Sequence, residues 1–255
     1  MILKKTVSRR LLLLIFLALA ISLTFGIQHY IIAIKIKPCC YSPIIVNNQT
    51  HNLTVDETFA YAPKIQSLLK NHLKLSPFQL YESRNLSSPF ISENLPALIM
   101  AGLTKISGNI SIAFIAADFI FPPIIFLLFF YLLFLLTKNF LLSVSGSLIN
   151  LTCQKALGDF PFIRNYLLSL LQYPFDGKHT LFTRNFHPQI SYIFLLLALI
   201  TFYQLLKKKD VIKIISFGVS FGLLFYSYFF YLSWFALGAI IVILLTISKI
   251  KKKKE

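Results

Sequence analysis

Acidic side chains are scarce in this chain. The 255 residues include 9 Asp and Glu against 25 Lys and Arg, and charged residues make up only 13% of the total. Soluble domains carry about twice that charged share, so a soluble enzyme is not favoured. The formal charge of +16 does not indicate a nucleic-acid partner, because the lysine runs are short, flank apolar segments and lack interleaved stacking aromatics. The expected partners of these lysines are anionic membrane lipids.

Cysteine is also rare, and its three copies exclude a disulfide framework. Cys39 and Cys40 are adjacent, which makes a disulfide between them strained, and the sequence supplies no further ligands at the spacing of a metal site. A glycine-rich phosphate loop, a Ser-His-Asp order and paired-cysteine motifs are missing as well. These absences argue against a cytoplasmic enzyme that uses nucleotides.

Apolar residues dominate the chain instead, with 56% hydrophobic and 15% aromatic residues and a mean hydropathy of +0.72. They form long continuous runs, which is typical of membrane-spanning helices. We therefore predict an all-α, polytopic membrane helix bundle of about six transmembrane helices, with residues 1–255 as a single transmembrane domain. The predicted spans are 11–33, 111–137, 140–157, 188–206, 211–229 and 233–248.

The basic residues predict the orientation of these spans. If the N-terminus is inside, more than half of the lysines and arginines fall on the inner side, where the only acids are Asp210 and Glu255. This bias predicts a multi-pass plasma-membrane protein with both termini in the cytoplasm. The outer side then holds a large first loop, 34–110, with interfacial helices at 62–73 and 95–106, and a second outer segment, 158–187.

Two adjacent carboxylates, Asp56 and Glu57, follow the first span in the first outer loop. Carboxylates at a membrane surface act as a general base or as ligands of a hard divalent cation. The alternative is that they are a polar signal at the start of the following surface helix, and the residues alone leave both open. A divalent cation is the one cofactor that this pair suggests, with Asp56 as its ligand.

Three further residues are candidates for substrate binding. Asp118 lies near the outer end of an apolar span, where an ionisable residue is a functional hypothesis by default; the alternative places it in the headgroup zone. Arg184 and His187 precede the fourth span. Cationic groups there suit a lipid phosphate or diphosphate, although Arg and His also anchor helix ends at membrane interfaces.

A basic N-terminus, one span and an outer loop with the sequence VDETFAYAPKIQSLL resemble the glycosyltransferase-C superfamily. The later stretches RNFHPQISYIFLLLAL and GVSFGLLFYSYFFYLSWF are similar to middle spans of its bacterial members. The resemblance implies a membrane glycosyltransferase that moves a sugar from a polyprenyl-phosphate donor to an acceptor at the extracytoplasmic face. Asp56 occupies the place of the family's essential acidic residue, with Glu57 assisting. The substrate-binding residues expected from their own positions in the sequence, and not from the family, are Arg184, His187 and Asp118.

One departure from the family qualifies this expectation. Its members usually have more spans than the six predicted here, so three expectations stay open: an N-terminal fragment, a split gene product whose missing helices come from a partner subunit, or an inactive relative. The alternative function is a non-catalytic polytopic membrane protein, acting as a subunit, a scaffold or a carrier of lipid or solute. In that case Asp118 and Asn150 matter more than Asp56, because they would line a path or a helix contact.

Overall fold

The computed structural model describes residues 2–36, 61–70, 94–152, 189–208 and 210–252, and the secondary structure of these residues is entirely helical. The predicted all-α class is therefore confirmed for the part of the chain that is described. The eight helices in that part are α1 (Ile2–Ile36), α2 (Ala62–Lys70), α3 (Leu95–Ser107), α4 (Ile110–Thr137), α5 (Phe140–Thr152), α6 (Ser191–Lys207), α7 (Val211–Phe225) and α8 (Phe229–Lys252).

Several helix ends coincide with those predicted. Helix α3 ends at Gly108, whose φ of 72° is the left-handed conformation that glycine adopts at helix C-termini. Helix α4 begins after Asn109, whose side chain accepts a 2.7 Å hydrogen bond from the Ser111 N–H. It ends at Lys138, which takes up φ 57° and donates its N–H to the Phe134 carbonyl.

Other boundaries differ from the prediction. The predicted fifth span, 211–229, is divided: α7 ends at Phe225 and α8 begins at Phe229, earlier than the predicted 233. The Ser227 N–H donates to the Leu224 carbonyl at 3.0 Å, a tight three-residue closure that ends a helix. Apolar residues continue through this turn, so hydropathy placed the break between the two spans about four residues too late, at 230–232.

Helix α4 is the centre of the bundle, with α1, α3, α5 and α6 packed around it. The short connections before and after α4 turn the chain back, so α3 and α5 are its neighbours both in sequence and in space. Helices α6, α7 and α8 form a second group with an aromatic core that includes Phe202, Phe217 and Phe235. The turn between α7 and α8 contacts the start of α3, where the Leu95 N–H donates to the Tyr226 carbonyl at 3.0 Å.

Among the residues that the structure describes, two helical segments are long and apolar enough to cross a membrane, Arg9–Ile27 of α1 and Ile110–Thr137 of α4. Only 17% and 22% of their apolar windows are buried, whereas the core helix of a soluble protein is buried along most of its length. For the other predicted spans, the apolar stretches that can be assessed are 10–17 residues, up to about 26 Å long; the last of them, Phe229–Val242, is part of the longer helix α8. A bilayer core is about 30 Å thick, so within the described residues two of the six predicted spans meet the length criterion, and the predicted number of six is not confirmed.

Helix α2 packs through the face that the sequence predicted. Ile65 and Leu68 are fully buried against Ala97, Met100 and Ala101 of α3. The exception is Lys64, predicted on the polar side but only 6% exposed. Position 64 lies one turn before Leu68, which places it on the face that meets α3.

Candidate functional site

Four of the five predicted site residues lie outside the described part of the chain. Asp56 and Glu57 belong to residues 37–60, and Arg184 and His187 to residues 153–188. Their predicted roles, and the predicted cation at Asp56, stay predictions. The structure bears directly on the fifth residue, Asp118, and on the places where these two segments join the described helices.

Asp118 is buried inside the bundle. It lies in the third turn of α4 and is only 4% exposed. The Gln189 side chain, which is fully buried, donates a hydrogen bond from Nε2 to Asp118 Oδ1 at 2.7 Å. Buried polar groups are costly unless they are hydrogen-bonded, and this contact meets that requirement across two helices. The predicted role of Asp118 in substrate binding stays a prediction, while its observed contact joins α4 to the start of α6.

The sequence interpretation did not single out Gln189. It comes two residues after His187, at the point where the polar segment 158–187 gives way to an apolar helix. An uncharged amide at such a point is common in any helix start, so it carried no signal by itself. A search for a hydrogen-bond donor at the same end of another predicted span would have identified Gln189 as a candidate partner for Asp118.

A second polar contact lies near the start of α6. The Tyr192 hydroxyl donates to Asn150 Oδ1 at 3.1 Å, and the ring of Tyr192 stands edge-on to that of Tyr231, with the centroids 6.1 Å apart. Asn150 Nδ2 is buried without a hydrogen-bond partner. Together with the fully buried Ser191, these groups make the start of α6 more polar than the rest of that helix.

The two segments that carry the predicted site residues join the described structure at one hydrophobic cluster, which we call the α3 core. Its buried members are Ile65, Leu68, Ala97, Met100, Ala101, Ala113, Phe114, Ala117, Phe121 and Ile190. Tyr61, four residues after Glu57, packs against it, and Ile190, three residues after His187, is one of its members. The sequence predicted the helices on either side but not that they share a core.

The described residues therefore provide a scaffold and one buried hydrogen-bonded carboxyl. Within them, no three His, Cys, Asp or Glu side chains are grouped so as to hold a metal ion. Catalytic chemistry at this end of the bundle would depend on side chains from the segments that precede Tyr61 and Gln189. The hydrogen bond from Gln189 to Asp118 links the start of α6 to α4.

No known protein family matches this chain, and neither a curated protein nor a solved structure matches it. The resemblance to the glycosyltransferase-C superfamily therefore stays a prediction made from the residues that carry it. The described part of the chain is all-helical and includes two helices long and apolar enough to span a membrane.

Proposed function

We propose that this protein is a membrane glycosyltransferase, which transfers a sugar from a polyprenyl-phosphate donor to an acceptor at the extracytoplasmic face. The observation that carries the proposal is the α3 core, which receives both Tyr61 and Ile190. Two segments therefore lead into the same place in the bundle. One contains the predicted acid, Asp56, and the other contains the predicted phosphate-binding groups. A single active site requires such convergence of groups that are distant in the sequence.

The proposal includes a multi-pass arrangement of about six spans in the plasma membrane, with both termini cytoplasmic. Basic residues at one end of the bundle support it. The Arg10 guanidinium lies 5.4 Å from the centroid of the Phe140 ring, next to the connection that contains Lys138. At the same end of α4, the Tyr203 hydroxyl donates to the Leu135 carbonyl at 3.2 Å, one turn before Lys207. Basic residues clustered at one end fit the cytoplasmic side, and the α3 core lies towards the other end.

In the proposed reaction, Asp56 takes the proton of the acceptor hydroxyl as that oxygen attacks the anomeric carbon of the sugar. The bond between the anomeric carbon and the phosphate oxygen breaks, and polyprenyl phosphate leaves with the electron pair. Arg184 and His187 offset the negative charge on the leaving phosphate. The attack from the opposite face inverts the anomeric configuration. Glu57 assists Asp56, and a divalent cation held by Asp56 would orient the acceptor.

Turnover of the donor by purified protein in lipid vesicles tests the proposal. The probes are polyprenyl-phosphate hexoses and pentoses with a radiolabelled sugar, and the readout is loss of the labelled sugar from the polyprenyl lipid. We expect Asp56→Asn to lower turnover by at least about a hundredfold, the usual contribution of a general base. The control is Asp210→Asn, an acid at the start of α7 without a side-chain capping bond, which is expected to turn over donor like wild type. Full turnover by Asp56→Asn would refute the assignment.

The second candidate function is a non-catalytic polytopic membrane protein. The buried contact between Asp118 and Gln189 favours it, because polar contacts between apolar helices stabilise membrane bundles without any chemistry. In this case no donor is consumed. A strain lacking the gene would then be complemented by Asp56→Asn but not by Gln189→Leu. For an enzyme we expect the reverse, because Asp56→Asn would then be the more damaging substitution.

A further inference from the structure

A groove of about 350 Å³ runs between α1 and α4 on the outside of the bundle. Leu14, Ala18 and Ser22 of α1 form one wall, and Pro123 and Leu127 of α4 form the other. Ser22 is the one polar lining residue, and its hydroxyl donates to the Phe119 carbonyl at 2.6 Å. A polar ligand would lose its hydrogen bonds to water and gain few in return. The groove is therefore suited to a hydrocarbon.

The dimensions of the groove favour a single chain over a helix. Its lining on α1 extends from Leu11 to Ser22, a length of about 16 Å. A partner helix of that length and about 10 Å diameter occupies on the order of 1,200 Å³, more than three times the available volume. An extended hydrocarbon chain about 5 Å across occupies on the order of 300 Å³ over the same length.

The end of the groove is basic. Arg10 precedes Leu14, Ala18 and Ser22 at intervals of four residues, so it lies in the same row of α1, one turn beyond the groove. Arg9 and Arg10 are exposed, and the Arg10 guanidinium lies 5.4 Å from the centroid of the Phe140 ring. A cation–π contact with one ring can be combined with hydrogen bonds to a phosphate, because a guanidinium carries five N–H donors.

The described parts of α1, α4 and α5 contain one carboxylate, Asp118, and it lies at the opposite end of the groove. It directly precedes Phe119, whose carbonyl bonds Ser22, and its side chain contacts Gln189. The positive charge of the arginines is therefore not offset by a nearby acid on these helices. A ligand with an apolar chain and an anionic head matches this distribution.

We propose that the groove binds one acyl chain of an anionic phospholipid, with the phosphate against Arg9 and Arg10. This bound lipid is distinct from the sugar donor, because it belongs to the basic end of the bundle and not to the α3 core. It fills the gap that α1 and α4 leave beside Pro123 and so stabilises their contact. The proposal does not depend on the glycosyltransferase function.

The test is titration of the purified full chain, in an uncharged detergent, with phosphatidylglycerol and with phosphatidylcholine of the same acyl chains. Native mass spectrometry counts the bound lipids and gives their affinity. Wild type is expected to bind one phosphatidylglycerol, and Arg9→Gln/Arg10→Gln to bind it about thirtyfold more weakly (about 2 kcal/mol). Lys207→Gln/Lys208→Gln, at the end of another helix, is the charge control and is expected to bind like wild type.

Ala18→Phe tests the apolar part of the site by filling the groove, and we expect it to abolish binding. Leu12→Phe is its control, because Leu12 is exposed on α1 but does not line the groove. If Ala18→Phe fails to fold, Leu19→Asn places a polar group at the exposed rim and is expected to weaken binding. Equal affinity for the two lipids, wild-type binding by Ala18→Phe or Leu19→Asn, or a protein dimer that Ala18→Phe disrupts would each overturn the proposal.

Discussion

Gly26 allows α1 to approach α4 closely, and a single methyl group there tests this packing. A Cβ built on Gly26 would overlap the ring of Phe119, while Gly102, in the middle of α3, has no atom within 4 Å of its Cβ position. The two glycines therefore offer the same substitution, Gly→Ala in a helix interior, with and without a neighbour.

The magnitudes follow from two opposing effects. Alanine is favoured over glycine in a helix by about 1 kcal/mol, and this gain applies at both positions. Forcing a methyl group into a packed contact costs about 1–3 kcal/mol, and this cost applies only at Gly26. We expect Gly102→Ala to stabilise the protein by about 1 kcal/mol, and Gly26→Ala to be less stable than Gly102→Ala by about 1–3 kcal/mol.

The assay is the free energy of unfolding in mixed detergent micelles, measured for the two variants and for wild type. Phe119→Ala supplies the second arm, because a smaller side chain at position 119 removes the overlap. We expect the difference between Gly26→Ala and Gly102→Ala to disappear in the Phe119→Ala background. A difference below about 0.5 kcal/mol in the original background, or one that persists without the ring, would refute the close approach of α1 to α4.

Two further contacts give predictions of similar size. Pro123 has no N–H for the Phe119 carbonyl, and the Ser22 hydroxyl donates to that carbonyl instead. We therefore expect Ser22→Ala to lower the free energy of unfolding by about 1 kcal/mol. In a Pro123→Ala background, where residue 123 has an N–H again, the same change should cost less than about 0.5 kcal/mol. A double-mutant cycle of unfolding free energies measures this, and an unchanged cost in the Pro123→Ala background would contradict it. Gln189→Leu removes a buried hydrogen bond and should cost about 1–3 kcal/mol, whereas Gln204→Leu removes an exposed one and should stay within about 0.5 kcal/mol. Equal losses in thermal unfolding would argue against a structural role for Gln189.

The positions of the helices were largely predictable, because apolar runs and their breaks are local properties of the sequence. Gly108 and Lys138 ended helices where expected. A break between the fifth and sixth spans was predicted at 230–232, but it lies about four residues earlier, at 226–228. Apolar and aromatic residues continue through it, and its position depends on backbone hydrogen bonds.

The contacts between helices were much less predictable. Asp118 stood out because a carboxyl in an apolar run is unusual, but its partner, Gln189, is 71 residues away and becomes a neighbour only when α6 packs beside α4. Burial of Lys64 likewise depends on α3 covering that face of α2. The contact of Ser22 was predictable in part. A proline inside a helix leaves the carbonyl four residues earlier without its helical donor, so a donor for the Phe119 carbonyl could be expected. The sequence did not show that this donor is Ser22 of α1.

We propose that the segments preceding Tyr61 and Gln189 contribute to one donor-binding site. Photocrosslinking with a polyprenyl phosphate that carries a reactive group beside its phosphate tests this directly, with unlabelled polyprenyl phosphate as competitor. We expect competed labels on peptides from both segments, one containing Asp56 and the other containing Arg184 and His187. Labels confined to one segment, or labels that the competitor does not remove, would contradict the claim.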